Sequence, residues 1–314
     1  MERLNLTNKQ WMYYGMGLLL ILIYCYLSFF APQNLFANTF SLNQLQVFFL
    51  KFIIAISFIT TWILAVYGLS ILHRYITLAK EKENPVIPLL RSLRTGLIWI
   101  VLGSIFFGFV GVIKSYFIPN TAVVHLFTIV ANYLLVFPFL IGFITMYRGA
   151  LIFQSTTEMS THKHSSYLSN SIMVFIISLF YIFLIFTNPS RQFSFDPAVS
   201  ATYYLPDVLI LSTIVLPTII AWWLGFYASF TISNLIPYLS HTEIFKGITR
   251  ILYGIWSIIF TSIIIQALTS FGEARLNAIG LGALLLLIYV SVFLQGIGYL
   301  FVALGSNVLQ KSLK

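Results

Sequence analysis

Long apolar runs separated by short polar ones set the rhythm of this chain. A helix needs roughly 20 mostly apolar residues to cross a hydrocarbon core. Eight stretches qualify: 11–31, 47–72, 95–117, 122–146, 169–187, 206–231, 251–270 and 277–304. Each run is continuously apolar rather than alternating over about ten residues, which predicts helices and not a membrane barrel. The expected fold is an all-α integral membrane protein with eight transmembrane helices.

The pattern is written twice. Tyr24–Phe36 reads YCYLSFFAPQNLF and Tyr181–Phe193 reads YIFLIFTNPSRQF, with Pro32 matching Pro189 and Phe36 matching Phe193. The offset of 157 is half of the 314 residues. Further matches follow in order. Trp62–Gly68 (WILAVYG) meets Trp222–Ala228 (WWLGFYA), and Ile98-Trp99 meets Ile255-Trp256. Ile141-Gly142-Phe143 meets Ile297-Gly298-Tyr299, and Gly149 meets Gly305. The predicted organisation is a first four-helix membrane repeat at 1–153, a polar cytoplasmic linker at 154–169, and a second four-helix repeat at 170–314. An even number of spans makes the halves parallel repeats about a pseudo-twofold axis along the membrane normal.

Composition changes the picture little and charge sharpens it. Hydrophobic residues make up 59% and charged residues 8%, against about a quarter charged in soluble domains. The net charge of +9 reads as topology, because Lys and Arg collect in cytoplasmic segments. With the N-terminus inside, only Lys114, Arg191 and Arg275 fall outside, and Lys51 sits near an outer interface. The remaining Lys and Arg are cytoplasmic, and so are both termini. The first apolar run is longer than a signal-peptide core and lacks a cleavage motif, so it is expected to be retained.

Trp11, Trp62, Trp99, Trp222, Trp223 and Trp256 fall toward the cytoplasmic ends of their spans. They read either as an interfacial belt or as the lining of an inner pocket. Two basic segments precede spans. Pro88 is placed to open a short helix carrying Arg91 and Arg94, and Lys246 and Arg250 occupy the equivalent place in the second half. Both read as surface elbows that anchor on the membrane or dock a cytoplasmic partner.

The chemistry is defined mostly by what is missing. The single Cys25 excludes an internal disulfide framework and a Cys-based metal cluster. None of the eight acidic residues lies deep in a span, which argues against carboxylate-driven proton or sodium antiport. His73, His162, His164 and His241 fall in loops and His125 near an outer end, so no facing pair offers itself to haem. The chain has no G-x-S-x-G, no phosphate-binding loop and no nucleic-acid motif. Neither catalysis nor a cofactor is expected.

The polar groups left at depth are neutral. Asn132 with Pro138 in the fourth span, Pro217 in the sixth, Gln266 in the seventh and Gln295 in the eighth are the candidates, with Ser104 and Ser291 at similar depth. Buried amides join helices by hydrogen bonds; alternatively these residues line a polar cavity between the halves. The functional expectation is a permease or the membrane subunit of a transport system moving a neutral or lipid-like substrate. The alternative is a non-transporting structural or accessory subunit of a larger membrane complex. A lipid enzyme using Asp196, Asp207, His125 and Arg191 ranks below both, since these have no triad or metal spacing. The expected surroundings are the lipid bilayer of the cell or inner membrane, with other membrane subunits or a cytoplasmic ATPase as partners, and no nucleic acid.

Overall fold

The computed structural model describes residues 8–30, 44–80, 86–116, 121–156, 171–172, 174–180, 182–183, 215–235, 243–271 and 278–312. These are helical apart from a turn residue at Val86 and another at Ser312. The helices are α1 (Asn8–Phe30), α2 (Gln44–Lys80), α3 (Ile87–Tyr116) and α4 (Thr121–Thr156). The chain continues through α5 (174–180), α6 (Leu216–Leu235), α7 (Glu243–Phe271) and α8 (Ala278–Lys311). Six of them, α2, α3, α4, α6, α7 and α8, are long and apolar enough to cross a membrane. The apolar stretch of α1, Gly15–Ser28, is shorter.

The helices outrun the apolar runs. α2 has 37 residues, a length of about 55 Å against a hydrocarbon core of about 30 Å. Hydropathy marks only the part in lipid, while backbone hydrogen bonding carries the helix on past it. Two expectations change as a result. Arg74 belongs to α2, and Arg91 and Arg94 belong to α3. The segment at Pro88–Arg94 is therefore no separate elbow. It is the first two turns of α3, with Leu89, Leu90 and Leu93 buried. Lys246 and Arg250 likewise sit in the opening turns of α7.

Glycine sets the closest helix approaches, because only a missing side chain lets two backbones come this near. In α3 and α4, a Cβ at Gly96 would lie 2.5 Å from the Gly142 carbonyl oxygen, and one at Gly142 would lie 2.8 Å from that of Gly96. In α7 and α8, a Cβ at Gly298 would lie 2.8 Å from the Gly254 carbonyl oxygen. Both crossings are antiparallel, and these two pairs are the most extensively packed in the molecule.

The third large interface joins α2 to α8. A Cβ at Gly68 would lie 2.6 Å from the Tyr299 carbonyl oxygen. The Thr61 hydroxyl donates to the Val292 carbonyl at 2.6 Å, and the Gln310 amide reaches the Ile71 carbonyl at 3.5 Å. Numbers rise together along this contact, so α2 and α8 run parallel. The fourth interface joins α4 to α6, where Gly225 faces the Phe143 ring. By comparison α2 packs less on α3, and α6 less on α7. The helices thus associate as two three-helix bodies, α2 with α7 and α8, and α6 with α3 and α4. These contacts bring Arg74, Arg91, Arg94, Arg148, Lys246, Arg250 and Lys311 to one end of the bundle.

Most hydroxyls in the apolar spans donate back to the carbonyl four residues earlier. Ser57, Thr77, Thr95, Thr145, Ser178, Thr231, Thr249 and Ser306 all do so. Such a bond satisfies the hydroxyl within its own helix. Polar bonds between helices are correspondingly informative.

Candidate functional site

Where the two bodies meet, a small cavity of about 10 Å³ is lined by Phe58 of α2, Ser262 and Ile265 of α7, and Val292 and Gln295 of α8. The opposite wall is Ser104 and Phe107 of α3 with Leu135 and Phe139 of α4. The volume stands at the threshold for a single water. Three of the nine lining side chains are polar and none carries charge.

Each polar group is fixed from its own helix. Ser262 donates to the Ile258 carbonyl at 2.5 Å. Its oxygen then accepts the Gln295 amide at 3.4 Å. Ser104 accepts the Trp62 indole N–H, also at 3.4 Å. Both of these inter-helix bonds are long, hence weak. Gln295 is 1% exposed. Its amide has capacity for about four hydrogen bonds, and most of that capacity is left to the cavity. The wall beyond Ser104 is aromatic. Tyr24 packs edge-on against Trp62 at 4.8 Å between ring centres, and Trp62 stacks on Phe109 at 5.9 Å.

Gln295 is the sequence candidate that reaches the cavity. Asn132 and Gln266 belong to α4 and α7, one turn or less from the lining residues Leu135 and Ile265, but their side chains lie outside the described residues. Pro138 is buried beside Gly103, whose Cβ would lie 3.0 Å from it. It acts as a packing knob at the α3–α4 crossing. Pro217 is the second residue of α6, away from the cavity. Arg91, Lys246 and Arg250 are exposed at the basic end, and Arg94 is half-buried there.

The tryptophans do not form one belt. Trp62 is 3% and Trp222 1% exposed, whereas Trp99 is 37% exposed. An indole whose N–H is bonded inside the protein has no need of the interface, and Trp62 meets that condition through Ser104. Sequence reasoning missed Ser262 and Thr61, and left the inward role of Trp62 as one of two readings. Hydroxyls in apolar helices are ordinary, and nothing in the local pattern separates one that crosses to a neighbour from one that folds back. Among the described residues, no three of His, Cys, Asp or Glu gather where a metal ion could sit.

The architecture and the neutral, buried site are those of a multi-pass helical membrane protein. No protein-family model matches the chain, and no curated protein or solved structure matches it.

Proposed function

We propose that the chain is the membrane-embedded part of a transport system, without catalysis of its own, and that its substrate is neutral or lipid-like. It is built as two parallel four-helix halves, with eight spans and both termini on the cytoplasmic side. Its exposed basic residues Lys246 and Arg250 face partner chains on that side. The observation that carries this reading is the matched packing of the halves around one polar cavity. Gly96–Gly142 and Gly254–Gly298 are equivalent crossings, and each half sends its second long helix to the fourth helix of the other. Such an exchange, with a polar site on the boundary, suits two bodies that rock against each other. The cavity of about 10 Å³ then belongs to a closed state.

The small volume also favours a second reading, a non-transporting subunit whose packed bundle supports partners. One experiment separates the two. Cys25 is the single cysteine, so a Cys25→Ser background accepts single reporters. Ser104→Cys and Ser262→Cys are expected to react with a small water-soluble maleimide in membrane vesicles. A lipid-facing control, Ile176→Cys, at a side chain 60% exposed, is expected to stay inert, because a thiolate does not form in hydrocarbon. Cavity reporters as inert as the control would sink the transport reading and favour the supporting subunit.

A further inference from the structure

At the basic end of the bundle, Arg94 of α3 turns its guanidinium to the His73 ring nitrogen of α2. Arg94 is half-buried, and its Nε is enclosed with no hydrogen-bond partner. A guanidinium keeps its charge and offers five donors, and a neutral imidazole accepts only one of them. No carboxylate is paired with Arg94 among the described residues. A partly buried cation in that position is costly until an anion completes it.

The fold itself does not require the charge. Gly96 and Gly254 occupy equivalent crossings, one residue out of register with the match of Ile98-Trp99 to Ile255-Trp256, so in space Arg94 corresponds to Leu252, which is 5% exposed. The match of Gly68 with Ala228 sets His73 against Ser233. At these positions one half carries leucine and serine, and the other carries an arginine set against a neutral imidazole. Arg91, one turn before Arg94, is exposed on the same side and adds a second charge. Beyond Arg94, toward the lipid, Ile98 is 39% and Phe106 45% exposed. Arg94, Ile98, Leu102 and Phe106 follow one another at i+4 along α3, a row that winds slowly about the helix, so a basic head gives way to an apolar strip that begins one turn away.

We infer that Arg94, His73 and Arg91 bind the phosphate of an anionic phospholipid, whose acyl chain lies along Ile98 and Phe106. The phosphate accepts the guanidinium donors that His73 leaves free, a charge-assisted bond stronger than a neutral one. Basic pockets at membrane depth recognise lipid headgroups in this way. The site is separate from the cavity and stands whether or not the chain transports.

The test uses the full chain purified in mild detergent. Phosphatidylglycerol is titrated against its thermal unfolding midpoint, with phosphatidylcholine and inorganic phosphate as parallel arms. Phosphatidylglycerol is expected to raise the midpoint by about 2 °C or more, and the other two to leave it unchanged. Arg94→Leu copies the packing of the other half, and it is expected to weaken the lipid response about tenfold. His73→Ser should weaken it less, and Arg250→Leu should retain it. Should Arg94→Leu fail to fold, Arg94→Gln and His73→Ser carry the comparison. An equal response in these variants overturns the site, as does an equal response to phosphatidylcholine. A rise produced by inorganic phosphate alone overturns the lipid assignment.

Discussion

The Gly96–Gly142 crossing offers the sharpest test of the packing. Gly96→Ala adds one Cβ that would lie 2.5 Å from the Gly142 carbonyl oxygen and 2.6 Å from Met146 Cγ. Methionine can bend away; a helix carbonyl cannot. Ordinary van der Waals contact begins at 3.4 Å, so α3 and α4 must separate by roughly 0.9 Å, enough to forfeit a quarter to a half of the dispersion well along the contact. Overpacking of this kind costs about 1–3 kcal/mol. Against it stands the helix propensity gained by replacing glycine with alanine, at most about 1 kcal/mol. The expected net loss is about 1–2 kcal/mol. The assay is reversible unfolding in mixed detergent micelles, with Gly15→Ala as control, since nothing lies within 4 Å of a Cβ there. Gly254→Ala should match Gly96→Ala in size, and the double variant should be additive, because the crossings share no partners. A Gly96→Ala protein as stable as its parent would falsify the close approach.

Three substitutions probe the inter-helix polar contacts by the same assay. Thr61→Val keeps the side-chain shape and deletes the bond to Val292, with an expected loss of about 0.5–1.5 kcal/mol; an unchanged stability would mean the parallel α2–α8 contact is not held by it. Gln295→Leu should leave stability within about 1 kcal/mol or raise it, because the Ser262 hydroxyl still donates to Ile258 and is not stranded. The same change should slow maleimide labelling of Ser262→Cys, and unaltered labelling would separate Gln295 from water entry. Trp62→Phe should cost about 1–3 kcal/mol while Trp99→Phe stays within about 0.5 kcal/mol, and equal effects would refute the division between core and interface.

Helical class and the positions of six spans were legible because lipid makes apolar length the dominant signal. α7 contains the apolar run read for it, and α8 contains its run from residue 278 onward. Their extensions at the basic end were not, since a hydropathy window ends where solvent begins and the helix does not. Gln295 was legible as a buried amide, an expensive group that stands out. Ser262 and Thr61 were not, because a hydroxyl is cheap to bury and its partner is set by helix rotation. Trp62 was misread for a related reason. It lies near the middle of α2, packed on Phe109 at the end of α3 away from the basic residues, and the belt rule is blind to which face of the helix looks inward. Asn132, Gln266 and the linker at 154–169 fall partly or wholly outside the described residues.

The packing also moves the surface at which motion is expected. The repeated sequence points to a seam between residues before and after the linker. Yet α2 packs more on α8 than on α3, and α6 more on α4 than on α7. Bonds such as Thr61 to Val292 therefore hold the sequence halves together. The looser boundary runs between α2, α7 and α8 on one side and α3, α4 and α6 on the other, and the cavity lies on it. If rigid bodies follow packing, a pair of spin labels within one body should keep a fixed distance while a pair across the boundary varies. Arg74, Arg148 and Lys311 are all exposed at the basic end and accept labels without disturbing the core. In the Cys25→Ser background, the distance between labels at 74 and 311 is expected to be narrowly distributed and equal in detergent and in lipid nanodiscs. The distance between 74 and 148 is expected to broaden or shift, since μs–ms body motions leave their spread in such frozen distributions. The opposite pattern, a fixed 74–148 distance with a variable 74–311 distance, would mean that the sequence halves move as units and that the α2–α8 interface slides.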